Sequence, residues 1–109
     1  MSQIAVLYHL ELHENCFSEY HGLWNTMVNY LQKRGAEGSV LQLAADNTVF
    51  IYSRWPSIEQ YQSSWPKDEE LERTLSPEMV EVTLRMKACI KEVISTQILH
   101  VVQDKLLKH

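Results

Sequence analysis

An α+β domain with elements in the order β-α-β-β-α-β is the fold class this sequence predicts, on three observations. Short apolar segments rich in β-branched and aromatic residues recur at 4 to 12, 39 to 45, 48 to 55 and 95 to 102. Two longer stretches between them repeat apolar residues every three or four positions, and Asp46-Asn47 stands alone between the second and third short segments as a hairpin turn. That order is the ferredoxin-like split βαβ arrangement, an antiparallel sheet with helices on one face. The chain of 109 residues supplies one such domain, 1 to 109, and no second.

IAVLYHLEL (4 to 12) is too short and too continuously apolar for a surface helix and reads as the first strand. Asn15 is placed to cap a helix whose stripe is Phe17, Tyr20, Trp24, Met27, Val28 and Leu31, with Gly35 ending it. SVLQLAA and TVFIYSRW form the second and third strands around Asp46 and Asn47, two residues that tolerate positive φ. Pro56 stops the third strand, and Ser57 with Gln60 has capping-box spacing, so a short helix begins at Ile58 and ends at Trp65, before Pro66. Asp68 and Ser76-Pro77-Glu78 offer two further helix starts. The helix after Ser76 carries Met79, Val82, Met86, Cys89 or Ile90, and Val93 on one face. STQILHVV (95 to 102) then reads as a last strand, although residues 97 to 107 also fit a continuing helix.

Strand faces carry the next inference. The first strand is apolar at Ile4, Val6, Tyr8 and Leu10 but also at Ala5 and Leu7, and the third has Val49 and Ile51 on one side with Phe50 and Tyr52 on the other. Helices cover one face, so the second is expected to meet the same face of another copy in a homodimer built sheet to sheet.

Composition excludes several function classes. A net charge of −4 with no basic stripe argues against nucleic acid. No apolar run reaches the roughly 20 residues that span a bilayer, and Met1-Ser2-Gln3 leads into a strand without signal-peptide regions, so no membrane association and a cytoplasmic location are expected. Cys16 and Cys89 sit singly in helical patterns, which favours free thiols. No GxSxG elbow or glycine-rich phosphate loop is present among three glycines. His9 and His100 fall on neighbouring strands, but without a third ligand the pair does not make a metal site, and neither metal nor organic cofactor is expected.

The element order, the length and the stretch YSRWPSIEQY (52 to 61) together resemble the antibiotic biosynthesis monooxygenase family of dimeric α/β barrels, in which a strand closing on a tryptophan runs into a helix through a short polar, acidic segment. The resemblance implies a cavity in each subunit between sheet and helices. In some members such a cavity serves oxygenation of a quinol-like or polycyclic aromatic without metal or flavin, in others haem breakdown. Trp55 matches the family's tryptophan. Where many members carry a histidine about nine residues later, this chain has Ser63-Ser64, and the first strand lacks the asparagine of the haem-degrading branch, so haem breakdown is not expected.

The candidate site residues follow. His21, one step from Tyr20 and Trp24, and His9 on the first strand are the candidate general bases, against the plainer reading of histidines at the edge of a core. Trp24, Tyr52, Trp55 and Trp65 are the candidate substrate contacts, against the plainer reading of aromatics as core. Tyr52 and Trp55 are three apart on a strand, so only one of them faces the cavity. Two functions remain open at this point: a cofactor-independent monooxygenase of a small aromatic or quinol-like substrate, and a dimeric small-ligand-binding or stress-response module without chemistry. An open cavity favours the first and a filled core the second.

Overall fold

The computed structural model describes residues 3–64 and 75–105. Its elements are β1 (Ile4–Leu12), α1 (Phe17–Gln32), β2 (Gly38–Leu43), β3 (Val49–Trp55), α2 (Ile58–Ser64), α3 (Pro77–Cys89) and β4 (Ile90–His100). The strands form one antiparallel sheet in the order β2-β3-β1-β4, the ferredoxin-like arrangement. The expected end of the short helix at Trp65 and the helix start at Asp68 lie outside the described residues.

Register sorts the side chains. β1 pairs Ile4↔Trp55, Val6↔Ser53, Tyr8↔Ile51 and Leu10↔Val49, so these residues share one face, and they pack against Tyr20, Leu23 and Met27 of α1 and Met79 and Met86 of α3. Val6 and Val49 are fully buried there. Trp55, 2% exposed, closes the end of this layer where β3 meets α2, with Ile58 and Tyr61 against it.

The opposite face bears Ala5, Leu7 and His9 of β1 and Phe50, Tyr52 and Arg54 of β3. Among the described residues no helix packs on it, and Val40 and Leu99, 49% and 41% exposed, extend its apolar surface to both sheet edges. The chain beyond β4 reaches over part of this face. Val101 N–H donates to the Gln3 carbonyl, and Asp104 pairs with Arg54 at 3.0 Å, so the segment crosses the sheet beside Ala5, the cross-strand partner of Arg54. Ala5 is accordingly buried.

Four local expectations are corrected. Asn15 does not cap α1. It adopts φ 65°, which an asparagine tolerates, and Cys16 takes the cap position without a side-chain hydrogen bond. The hairpin is longer than two residues: Asn47 N–H closes a turn on the Ala44 carbonyl, Asn47 takes φ 68°, and Asp46 Oδ1 accepts from both the backbone and the hydroxyl of Thr48. Val93 belongs to β4 rather than to the last helix, because α3 stops at Cys89 and passes directly into strand at Ile90. Pairing of Leu12 with Ile90, Glu11 with Glu92 and Leu10 with Val93 gives the backbone ladder partners that a continued helix would forgo. Residues 97 to 100 are therefore strand. Finally, Gln60 makes only half of the capping box. Its N–H donates to Ser57 Oγ, while its side chain turns to the Arg34 carbonyl, which Ser64 Oγ also reaches.

Gln60 thereby ties α2 to the end of α1, where Gly35 at φ 110° lets the chain turn; an added Cβ at Gly35 would meet the Gln60 side chain at 2.7 Å. The start of α3 is as expected, with Pro77 at its first position and Ser76 Oγ accepting from Met79 N–H.

Replacing Trp55 by alanine removes the largest fully buried side chain among the described residues and leaves a void in the core. Urea denaturation of Trp55→Ala should show a loss of about 3–5 kcal/mol. An unchanged midpoint would contradict its place in the core.

Candidate ligand-binding cavity

The helix-facing layer is not filled. Between the sheet, α1 and α3 lies a cavity of about 220 Å³, bounded by Tyr8 of β1, Tyr20 and Trp24 of α1, Ile51 and Trp55 of β3, and Tyr61 of α2, with the flexible Met27 and Met86 opposite the sheet. Three lining residues, Lys87, Val93 and Thr96, are also exposed, so the cavity meets solvent where the end of α3 passes into β4. Aromatic rings of fixed shape stand on four elements, β1, α1, β3 and α2, and two unbranched, adaptable methionines face them.

The polar atoms of the wall are few and mostly engaged. Trp24 Nε1–H donates to Ser39 Oγ at 3.4 Å, Trp55 Nε1–H to Ser53 Oγ at 3.3 Å, and Thr83 Oγ1–H to the Met79 carbonyl at 2.9 Å. The Tyr8 and Tyr61 hydroxyls lie 2.6 Å apart and hydrogen-bond each other. Tyr61 also meets Trp55 edge to face, with ring centroids 5.4 Å apart. Among the described residues, none of those lining the cavity is a histidine or a carboxylate.

The candidate site residues divide. Trp24 and Trp55 are brought together in the cavity wall. Tyr52 is on the opposite sheet face, as its odd spacing from Trp55 requires. Trp65 lies outside the described residues. His9 does not face the cavity: it shares the helix-free face with Phe50, on which its ring stacks at 4.0 Å, and its Nε2 hydrogen-bonds Thr48 Oγ1 at 2.8 Å. Because the Thr48 hydroxyl lies 2.6 Å from Asp46 Oδ1 and donates to it, His9 Nε2 carries a hydrogen. His21 is exposed on α1 with its ring beside Phe17 and Trp24, outside the lining. Nor are His9 and His100 neighbours, since β1 sets His9 opposite Ser95 and Ile4 opposite His100.

Tyr8 and Tyr61 are polar residues of the wall that do not titrate near neutral pH and so carry no signal of a general base in the sequence. A signal of another kind was present: Tyr8 interrupts the aliphatic row Ile4, Val6, Leu10, and Tyr61 follows Ile58 by three positions on α2. A buried tyrosine needs a partner for its hydroxyl, and two of them converging from different elements supply each other.

Burial, then the charge and hydrogen bond of Tyr61, push the Tyr8 hydroxyl far above the usual phenol range, and burial followed by Cys89 does the same for Tyr20. Both remain neutral donors rather than bases. In the unfolded chain they lose protons near the ordinary value of 10.0, whereas the folded chain retains them. Their contribution to stability is therefore intact below that pH and is lost as pH rises above it. Spectrophotometric titration of wild type against Tyr8→Phe and Tyr20→Phe should show these two ionising only as the fold is lost. Tyrosinate absorbance from either in the folded protein would contradict the burial.

No family model matches the chain, and no curated protein does. Solved structures do match. A protein of Chloroflexus aurantiacus J-10-fl provisionally named an antibiotic biosynthesis monooxygenase is 11% identical, with TM-score 0.73 over 98% of this chain and 100% of that one. SnoaB of Streptomyces nogalater, named a cofactor-independent oxygenase, is 10% identical, with TM-score 0.70 over 95% and 97%. A protein from an uncultured marine organism named dimeric ferredoxin-like is 11% identical, with TM-score 0.67 over 99% and 95%. At these identities the likeness is one of fold, and it spans essentially the whole of each chain: this is the ferredoxin-like α+β fold found in proteins named for antibiotic biosynthesis monooxygenation.

Proposed function

We propose that the chain is a cofactor-independent oxygenase of a small phenol or quinol-like aromatic, acting as a homodimer. The observation that carries this reading is the cavity: apolar, walled by aromatic rings, open to solvent at one end, and set in a fold shared with a named cofactor-independent oxygenase. An apolar cavity of about 150 Å³ takes a benzene, so one of about 220 Å³ accommodates a substituted single ring or two fused rings. Trp24 and Trp55 are the proposed aromatic contacts, offering ring faces and edges to a flat ligand.

The reaction balances without a further reductant. A phenol with a free para C–H and dioxygen give the para-quinone and water: one oxygen atom enters the ring, and the other leaves with the ring hydrogen and the phenolic hydrogen. The substrate supplies the electrons. The protein excludes water around the reacting ring and holds it still. Neither His9 nor His21 lines the cavity, so neither is offered as the base; the proton leaves to solvent by way of the open end.

A second reading, a ligand-binding dimer without chemistry, is favoured by the absence of any histidine or carboxylate among the described lining residues. Oxygen uptake with 1-naphthol and other phenols free at the para carbon, in the presence of a chelator, separates the two. The oxygenase should consume oxygen and place one atom of labelled dioxygen in the quinone made from 1-naphthol. Binding of these compounds without uptake would leave the non-catalytic module.

The dimer is proposed through the sheet face that no described helix covers, where Leu7, Phe50 and Tyr52 are half-buried and Val40 and Leu99 exposed. An apolar surface of this kind is uncommon on a stable monomer, and a protein sharing the fold is named dimeric. Light scattering should give twice the chain mass of 12.8 kDa. A folded monomer at micromolar concentration would overturn this assignment.

A further inference from the structure

We propose that Cys16 and Cys89 are a peroxide-sensitive pair: hydrogen peroxide oxidises Cys16, and Cys89 captures the product as a disulfide that joins the start of α1 to the end of α3. The inference does not depend on what occupies the cavity.

Backbone hydrogen bonds bring the two cysteines together from opposite ends of the chain. Cys89 is the last residue of α3, and its carbonyl accepts from His13 N–H at 2.8 Å. From His13 the chain folds back at once: Asn15 takes φ 65°, and Cys16 N–H donates to the His13 carbonyl at 3.1 Å. This tight turn sets Cys16 beside the end of α3, and the pairing of Leu12 with Ile90 fixes the approach from the strand side. Cys16 packs against the buried cluster that contains Cys89. Both are free thiols.

The pair is asymmetric. Cys89 is 3% exposed, whereas Cys16 is partly open to solvent. Burial above all, then the charge of Glu19, then the charge and hydrogen bonding of Cys16, push the Cys89 thiol up to about 11, against the opposing charge of Arg85. A buried sulfur that keeps its proton is a poor first target for an oxidant, so the attack falls on Cys16. The Cys16 sulfur, as thiolate, attacks one peroxide oxygen; the O–O bond breaks, leaving the Cys16 sulfenic acid and a hydroxide that takes up the thiol's proton as water. The Cys89 sulfur then attacks the Cys16 sulfur. The S–O bond breaks, the S–S bond forms, and the Cys89 hydrogen leaves with the hydroxyl as a second water. Two thiols and one peroxide give one disulfide and two waters, the sulfurs losing the two electrons that the peroxide gains. An exposed cysteine without such a neighbour passes on to the sulfinic acid, which thiols do not reverse; Cys89 diverts it to a bond that a dithiol reopens.

The bond lies behind the cavity wall rather than in it. Tyr20, whose N–H donates to the Cys16 carbonyl and whose hydroxyl feels the charge of Cys89, lines the cavity, as do Lys87 and Ile90 on either side of Cys89 in the chain. Closing the disulfide therefore fixes α1 against the junction of α3 with β4, where the cavity meets solvent.

The reduced full chain, treated with stoichiometric hydrogen peroxide in the presence of a chelator and then with catalase, tests this. Thiol titration of the denatured product should show both thiols lost, and dithiothreitol should restore them. Peptide mapping without reductant should join the segment holding Cys16 to that holding Cys89, and electrophoresis without reductant should leave the protein at the mass of one chain. After catalase, closure should quicken about tenfold per pH unit well below the pH at which Cys89 loses its proton, because the thiolate is the attacking form. Cys89→Ser should stop at the Cys16 sulfenic acid, which dimedone traps. Cys16→Ser should keep its remaining thiol about tenfold longer or more than wild type keeps Cys16. A disulfide between two chains, loss of the Cys89 thiol in Cys16→Ser at the wild-type rate, or a wild type that reaches the Cys16 sulfinic acid with Cys89 still free would each overturn the pair. The mapping needs only the wild type, so it decides the matter even where a serine variant fails to fold.

Discussion

β1 is hydrogen-bonded along both edges, to β3 from Ile4↔Trp55 to Leu10↔Val49 and to β4 from Ile4↔His100 to Leu12↔Ile90. A shift of one residue in either pairing would exchange every side chain of the central strand between the two faces. Ile4, Val6 and Leu10 would then leave the layer under the helices, and His9 and Glu11 would enter it. The loss of burial for three large aliphatics, together with the burial of a carboxylate without a partner, opposes any such slip strongly. What lies in the cavity and what lies on the far face are both consequences of this one register, and the position of Tyr8 is among them.

The helices answer that register unevenly. α1 and α3 pack on each other and on the sheet through Tyr20, Leu23, Met27, Met79 and Met86, which bury the layer beneath Leu10, Val49 and Ile51. Toward Trp55 the layer is closed instead by the short α2, whose Ile58 and Tyr61 meet Trp55 from the side. Between these two seals the space is bridged by rings and methionines, and it stays open because the groups that could fill it are anchored elsewhere. The indole N–H groups of Trp24 and Trp55 are directed to serines on β2 and β3, which fixes how far each ring can swing inward. The tyrosine hydroxyls hold each other. Hydrogen bonding thus fixes the orientation of the aromatic rings in the wall.

Element types and strand order were legible in the sequence because they depend on short-range signals: the short β-branched and aromatic run in 48 to 55, the proline after Trp55, and the Ser76-Pro77 helix start. The boundary between α3 and β4 was not. Val93 continues the helical stripe of Met79, Val82 and Met86 as well as it fits a strand, and the outcome turns on pairing with Leu10, a contact 83 positions away along the chain that no local pattern reports. The same limit separates the two tryptophans from the two histidines. Parity along a strand and spacing along a helix put Trp55 and Trp24 under the helices, whereas His9 has the opposite parity, and only the assembled sheet shows that Phe50 and Thr48 occupy its ring and Nε2. His21 sits one residue beyond Tyr20, a rotation of about 100° around the helix, which carries it from the buried stripe to the exposed edge.

The two faces of the sheet draw on alternate residues of the same strand. Under the helices, Ile4, Val6, Tyr8 and Leu10 border the layer that holds the cavity; on the other side, Ala5 and Leu7 belong to the face that no described helix covers. The segment after β4 reaches that face at one corner, where the Arg54–Asp104 pair draws it across Ala5, and leaves Leu7, Phe50 and Tyr52 for something larger to cover. A partner on that face would stiffen the sheet from behind without entering the cavity. α2 is held to the end of α1 by the contacts of Gln60 and Ser64 with the Arg34 carbonyl. Tyr61 lies between those two anchors. Its ring is therefore as fixed as the sheet it faces, which is the condition for a hydroxyl to hold another in one direction rather than merely to be near it.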